Sequence, residues 1–224
     1  MMQTGKGALP PRAASDEAAL TPGIFWVRRG GASVAQVLYL THPEVGIDPA
    51  VAVPDWGLSA HGAARVADLA KRGAWNGWHV VTSAERKALE TAWPLAAAAG
   101  SAVEVRPDMH ENDRSATGYL PGAEFEAVAD AFFAYPEVSV RGWERAVDTQ
   151  ARIIREVQAV LAAQRGRDVI FCGHGAVGTL LYCALAGEAI SRRWDQTGGG
   201  HYFSFDLEHM TPMTHWQALE TLWR

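Results

Sequence analysis

Cysteine is scarce in this chain: of its 224 residues, only Cys172 and Cys183 carry a thiol. Both lie in apolar segments and no Cys-x-x-Cys pair exists, which argues against a disulfide framework. They read as reduced core residues of a cytoplasmic protein. Long hydrophobic runs are missing too. No stretch approaches the roughly 20 apolar residues that span a bilayer, so no membrane role is expected. Positive charge is in deficit, and a net charge of −5 argues against a broad nucleic-acid footprint while leaving room for a local basic pocket. No His-x-x-x-His spacing supports a zinc site. Internal repeats and inter-domain linkers are absent. The segment 1–20, rich in Ala, Gly, Pro and small polar residues, lacks the apolar core of a secretory signal and reads as a mobile tail. Residues 21–224 suit a single domain, with 48% of the chain hydrophobic and able to supply its core.

What is present is an alternation of strands and helices. Short apolar runs at Val34–Leu40, His79–Thr82, Ala102–Val105 and Val169–Cys172 read as strands. Ser59 is placed to cap a helix running to about Arg72, and Ser83 to cap another from Ala84 to about Ala98. Helical periodicity returns at Phe125, Val128, Phe132 and Phe133, again from Trp143 to Leu161, and from Gly175 to Leu185. Tyr202–Phe205 is short and aromatic and reads as an edge strand. The pattern predicts an α/β fold: a three-layer α/β/α sandwich around a mostly parallel sheet.

Two histidines stand at comparable places. His42 follows Val37-Leu38-Tyr39-Leu40-Thr41, and His174 follows Val169-Ile170-Phe171-Cys172-Gly173. Ligands of open α/β sheets bind beyond the carboxyl ends of such strands. One strand-end histidine is as readily a loop hydrogen-bonder as a reacting group; two suggest a shared centre. Arg86 and Lys87 fall in the first turns of a helix, where the helix dipole disfavours cations and an anionic ligand would favour them. A solvated helix face is the plainer account of such a pair. Glu111, in the long polar loop Arg106–Pro121, is a candidate general acid, although a loop Glu is more often simply exposed.

Taken in order, these segments resemble the histidine phosphatase superfamily, with its phosphoglycerate-mutase-like fold. Thr41-His42-Pro43-Glu44 stands where that family has Arg-His-Gly. Leu58-Ser59-Ala60-His61-Gly62 matches its Leu-Ser/Thr-x-x-Gly, Ser83 to Thr91-Ala92 its Ser-Pro-x-x-Arg-Ala-x-x-Thr-Ala, and His174-Gly175 its later His-Gly. Three departures stand out: Thr41 replaces an arginine, Pro43 a glycine, and Lys87, with Arg86 beside it, a second arginine. Losing an arginine removes a fork of charge-assisted hydrogen bonds to phosphate, each worth about 1.5–3 kcal/mol. Lysine returns only a point charge. Arg86, Arg114 and Arg141 are the candidates to make up the loss.

The resemblance implies metal-independent hydrolysis of a small phosphorylated substrate through a phosphohistidine on His42, with no cofactor. Glu111 would be the acid and His174 the phosphoryl stabiliser, while Thr41, Lys87 and Arg86 would occupy the phosphate-binding positions. Two other outcomes remain open at this point: a non-catalytic domain that binds a phosphorylated ligand or protein, and a phosphomutase. Oligomeric state is not readable.

Overall fold

A computed structural model describes residues 35–164 and 166–223; the tail read at 1–20 lies outside them. Along the chain run β1 (Val37–Thr41), α1 (Ala60–Arg72), β2 (His79–Thr82), α2 (Arg86–Ala99), β3 (Val103–Val105), α3 (Gly122–Ala134), α4 (Ala146–Ala163), β4 (Val169–Gly173), α5 (Gly175–Ala186), β5 (His201–Phe205) and β6 (Gln217–Ala218). The strands form one sheet in the order β3-β2-β4-β1-β5-β6. The pairs β3–β2, β2–β4 and β4–β1 are parallel, whereas β1–β5 and β5–β6 are antiparallel.

The central strands read as unbroken apolar runs because both of their faces are covered. Val37 and Tyr39 of β1, with Val169 and Phe171 of β4, pack on Ile153 and Val157 of α4 and Val177 and Leu181 of α5. Leu38 and Leu40, with Ile170 and Cys172, face the other way onto Val66 and Leu69 of α1 and Leu95 and Ala96 of α2. That period-2 split puts helices on both sides of the sheet, the expected three layers. α3 packs beyond α4 and α5, where Phe132, Phe133 and Trp143 meet Leu180. Among the described residues, no helix is long and apolar enough to cross a membrane.

Local chemistry accounts for α1. The Ser59 hydroxyl accepts the Gly62 N–H at 3.0 Å, a cap worth roughly 1 kcal/mol. Gly62 has no Cβ because one would stand 2.4 Å from the Glu44 carbonyl, against which the helix start is pressed.

Three sequence expectations are corrected. β5 is not an edge strand: it lies between β1 and a two-residue β6 that the short Gln217–Ala218 pattern did not reveal. Ser83 does not cap α2, which begins at Arg86 without a side-chain cap, because its hydroxyl is engaged by His174. Trp143 precedes α4 rather than starting it. Its ring is in the core, with the indole N–H donating to Thr117 Oγ1 at 2.8 Å.

Candidate active site

β1 and β4 are adjacent and parallel, with Thr41 opposite Gly173. The next residue of each is a histidine, so the register delivers both rings to one point on the carboxyl edge of the sheet. The His42 N–H donates to the Gly173 carbonyl at 3.0 Å, locking the two strand ends together. The ring centroids lie 5.4 Å apart and the planes are inclined by 69°.

His42 Nδ1 lies 2.8 Å from the Pro43 carbonyl, which can only accept, so Nδ1 carries the proton and Nε2 keeps its lone pair. Desolvation pulls the His42 pKa down to about 4; the Pro43 hydrogen bond opposes this, and the charges of Lys87 and Arg114 reinforce it. The ring is therefore a neutral imidazole at neutral pH, the form required of a nucleophile.

His174 is fully buried. Its Nε2 lies 2.7 Å from the Ser83 hydroxyl at the end of β2 and 3.6 Å from a Glu85 carboxylate oxygen. Its Nδ1 has no hydrogen-bond partner among the described residues. Burial lowers its pKa to about 4 against the pull of Glu85 and Glu111. Tyr39 fixes the turn from the neighbouring strand: its hydroxyl accepts the His174 N–H at 3.1 Å and donates to the His174 carbonyl at 3.3 Å. Any Cβ on Gly173 would fall 2.2 Å from that hydroxyl, which explains the glycine before His174.

Glu111 reaches the same turn. Its carboxylate accepts the N–H groups of Val177 at 3.0 Å, Asn112 at 3.1 Å and Ala176 at 3.3 Å, so it caps the start of α5 beside His174. The structure thus brings together His42, His174 and Glu111.

The phosphate-binding positions fare differently. Thr41 is buried, donates to Gln196 Oε1 at 2.6 Å and accepts the His201 N–H at 3.0 Å, so its hydroxyl is spent on the β5 side. Lys87 is buried and bonded to the Glu85 carboxylate, and it donates to the Val53 carbonyl at 3.0 Å. Burial resists ionisation of Glu85, but His174 and Lys87 overcome it and hold its pKa at about 2. Arg86 has a side chain 63% exposed and pairs with Glu90 one helical turn on, away from the cleft. Arg141 pairs with Glu124 at the surface. Only Arg114, of the three candidate arginines, lines the cleft; its guanidinium carbon sits 5.1 Å from the Phe125 ring centroid and 5.7 Å from that of Trp143.

That cleft, of about 670 Å³, runs between the 49–54 segment and the 110–119 loop; neither histidine lines it, but Glu85, 3.6 Å from His174 Nε2, and Glu111, which caps α5, both do. Among the described residues, no group of three His, Cys, Asp or Glu side chains is placed to hold a metal ion. Sequence reasoning missed Tyr39 and Glu85. Tyr39 leaves an indirect trace, since Gly173 and Gly178 both lack the Cβ that would strike its ring. Glu85 leaves none, because a Glu before a helix is ordinarily solvated.

Solved structures share this architecture. The mycobacterial glucosyl-3-phosphoglycerate phosphatase Rv2419c superposes with a TM-score of 0.69 at 22% identity, covering 82% of this chain and 99% of that one. YhfR of Bacillus stearothermophilus gives 0.69 at 19% identity, covering 82% and 96%. A phosphoserine phosphatase of Entamoeba histolytica, solved with 3-phosphoglyceric acid, gives 0.67 at 15% identity, covering 84% and 99%. At these identities they establish a common fold. No curated protein matches the chain significantly. The family model of the histidine phosphatase superfamily (branch 1) matches residues 48–206, starting just after the departures at Thr41 and Pro43. With most of its length matched and the expected sheet, helices and strand-end histidines in place, the chain belongs to the histidine phosphatase superfamily.

Proposed function

We propose that the protein is a phosphatase that hydrolyses a small phosphomonoester through a phosphohistidine on His42. The observation that carries this reading is the histidine pair: two neutral imidazoles 5.4 Å apart, one with its Nε2 lone pair free. His42 Nε2 attacks phosphorus and the P–O bond to the alcohol breaks. Glu111 gives a proton to the departing oxygen. Water then attacks the phosphohistidine, giving a proton back to Glu111 as the P–N bond breaks, which releases inorganic phosphate and restores both Glu111 and His42. Splitting one displacement into two is the benefit of covalent catalysis. His174 steadies the phosphoryl oxygens, and Arg114 supplies the cation that Thr41 and Lys87 do not. No step in this scheme uses a metal.

One observation favours a second reading, a domain that binds a phosphorylated ligand without turning it over. Thr41 and Lys87 are both engaged inside the protein, leaving a poorer phosphate clamp. Incubation with a labelled phosphomonoester separates the two. Labelled phosphate trapped on wild type and absent from His42→Ala supports the phosphatase. Equal turnover in both proteins removes His42 as nucleophile, binding without turnover favours the second reading, and transfer to an alcohol rather than water would mark a mutase.

A further inference from the structure

We propose that the substrate carries its phosphate on an apolar group, an alkyl or aryl phosphomonoester rather than a sugar or glycerate phosphate. The proposal rests on the phosphatase reading of the same site and adds the chemistry of the leaving group.

The cleft beside the histidines has two unlike walls. The wall made by Glu85 and the 110–115 loop is polar throughout. The opposite wall is Pro49-Ala50-Val51-Ala52-Val53-Pro54, six consecutive residues without one polar side chain, joined by Tyr119. Surface loops are usually polar, so an apolar run along a cleft calls for an apolar occupant.

This wall is built, not loose. Val45 and Leu58 pair at its base, and the Gly46 N–H donates to the Gly57 carbonyl at 3.0 Å. The Trp56 indole N–H reaches the carbonyls of Asp48 at 2.9 Å and Val51 at 3.1 Å. Lys87, standing where the family has an arginine, holds the Val53 carbonyl at 3.0 Å. With the Val51 and Val53 carbonyls paired within the protein, the side chains that this segment presents to a ligand are all apolar. Ile47 and Val51 nevertheless remain open to water, at 59% and 39% exposure.

The apolar surface continues past the cleft. A second cavity of about 220 Å³ lies between Ile47, Val53, Trp56, Leu120 and Phe125, and Arg114 and Tyr119 line both spaces. Glu85 and Glu111 line the first space beside the apolar 49–54 segment, and Arg114 borders both spaces. A polyhydroxylated group would surrender water along the 49–54 segment and gain no side-chain partner from it. An alkyl or aryl group surrenders nothing.

The test is kcat/KM for straight-chain alkyl phosphates from methyl to hexyl, with glycerol 3-phosphate as the polar counterpart of propyl phosphate. Reactivity is expected to rise roughly two- to fourfold per methylene until the space is filled. Propyl phosphate should exceed glycerol 3-phosphate about tenfold. A flat series, or a preference for glycerol 3-phosphate, overturns the proposal while leaving a phosphatase. No turnover of any ester removes the phosphatase reading instead, and dissociation constants for the same series by calorimetry then decide the proposal, tightening with length upholding it and a flat series overturning it. Val53→Thr, which keeps the shape and the backbone carbonyl, should reduce the gain per methylene; an unchanged slope overturns the assignment of that wall.

Discussion

The histidine pair and the start of α2 lie a few ångströms apart, His174 Nε2 being 3.6 Å from Glu85, yet the fold specifies them in different ways. His42 and His174 are delivered by strand register: once Thr41 sits opposite Gly173, the next residues must meet at the sheet edge. Thr41, Lys87 and Arg86 are placed just as firmly by the backbone, but their usefulness to an anion depends on what else they touch. Each has a partner within the protein: Gln196 and His201 for Thr41, Glu85 and Val53 for Lys87, Glu90 for Arg86. Backbone geometry fixes where a side chain is, and competition among partners fixes what it can do.

The largest effect expected from this contrast is at Lys87. If Lys87 serves the structure, Lys87→Met leaves the Glu85 carboxylate buried without its cation and should lower unfolding free energy by about 3–5 kcal/mol. Adding Glu85→Gln should recover most of that loss in denaturant titrations. A loss below about 1 kcal/mol, accompanied by a KM raised more than about tenfold, would return Lys87 to the phosphate-binding set and break the contrast.

Acid sharpens the comparison from the side of the histidines. The pKa of His174 is about 4 in the folded protein, below the ordinary 6.5, so between those values the unfolded chain binds a proton that the folded one refuses. Its contribution to stability is complete above about pH 6.5 and lost as pH falls towards 4, roughly 3 kcal/mol in all. Glu85, held at about 2, runs in the same sense at lower pH: its contribution is present above about 4.5 and disappears as pH falls through 2. His42, also lowered to about 4, acts in the same pH range, so urea midpoints should drop between pH 7 and 4.5 and His174→Asn should remove roughly half of that drop. A wild-type midpoint that does not move would mean that the histidines are not held neutral.

Arg114 offers a smaller and more specific break. It lines the cleft and, among the described residues, has no ion-pair partner; Phe125 and Trp143 hold it through their ring faces. Arg114→Ala should reduce kcat/KM by about 10- to 100-fold, the value of one charge-assisted contact, with little change in stability. Arg114→Lys should recover only part, because an ammonium lacks the planar fork. A change below about twofold would leave the cleft without its proposed cation.

The same division governs how much was readable in the sequence. The sheet, the helices and the meeting of the two strand-end histidines were legible because they follow from apolar runs of fixed period and from the residue after each run. The two-residue β6 carries too little pattern to see, and it moved β5 from the edge to the interior. Ser83 looked like a helix cap because Ser before a helix usually is one; here the hydroxyl bonds His174, 91 residues away. The Lys87–Glu85 pair, the Thr41–Gln196 bond and the Tyr39 clasp of the His174 turn all join residues whose partnership no local pattern encodes.

The smallest effect belongs to Arg86, and it isolates helix position from side-chain partner. Arg86 and Lys87 are consecutive in the first turn of α2, so a clamp set by helix position alone would use either. A 100° step per residue points them in different directions, and Arg86 lies along the surface with its Nε 2.7 Å from Glu90. An exposed pair one turn apart is worth about 0.3–0.5 kcal/mol. Arg86→Ala should lower stability by no more than that and leave KM within about twofold of wild type. A KM raised fivefold or more would mean that Arg86 leaves Glu90 for the ligand, and that partner choice at the α2 start is settled by the substrate rather than by the fold.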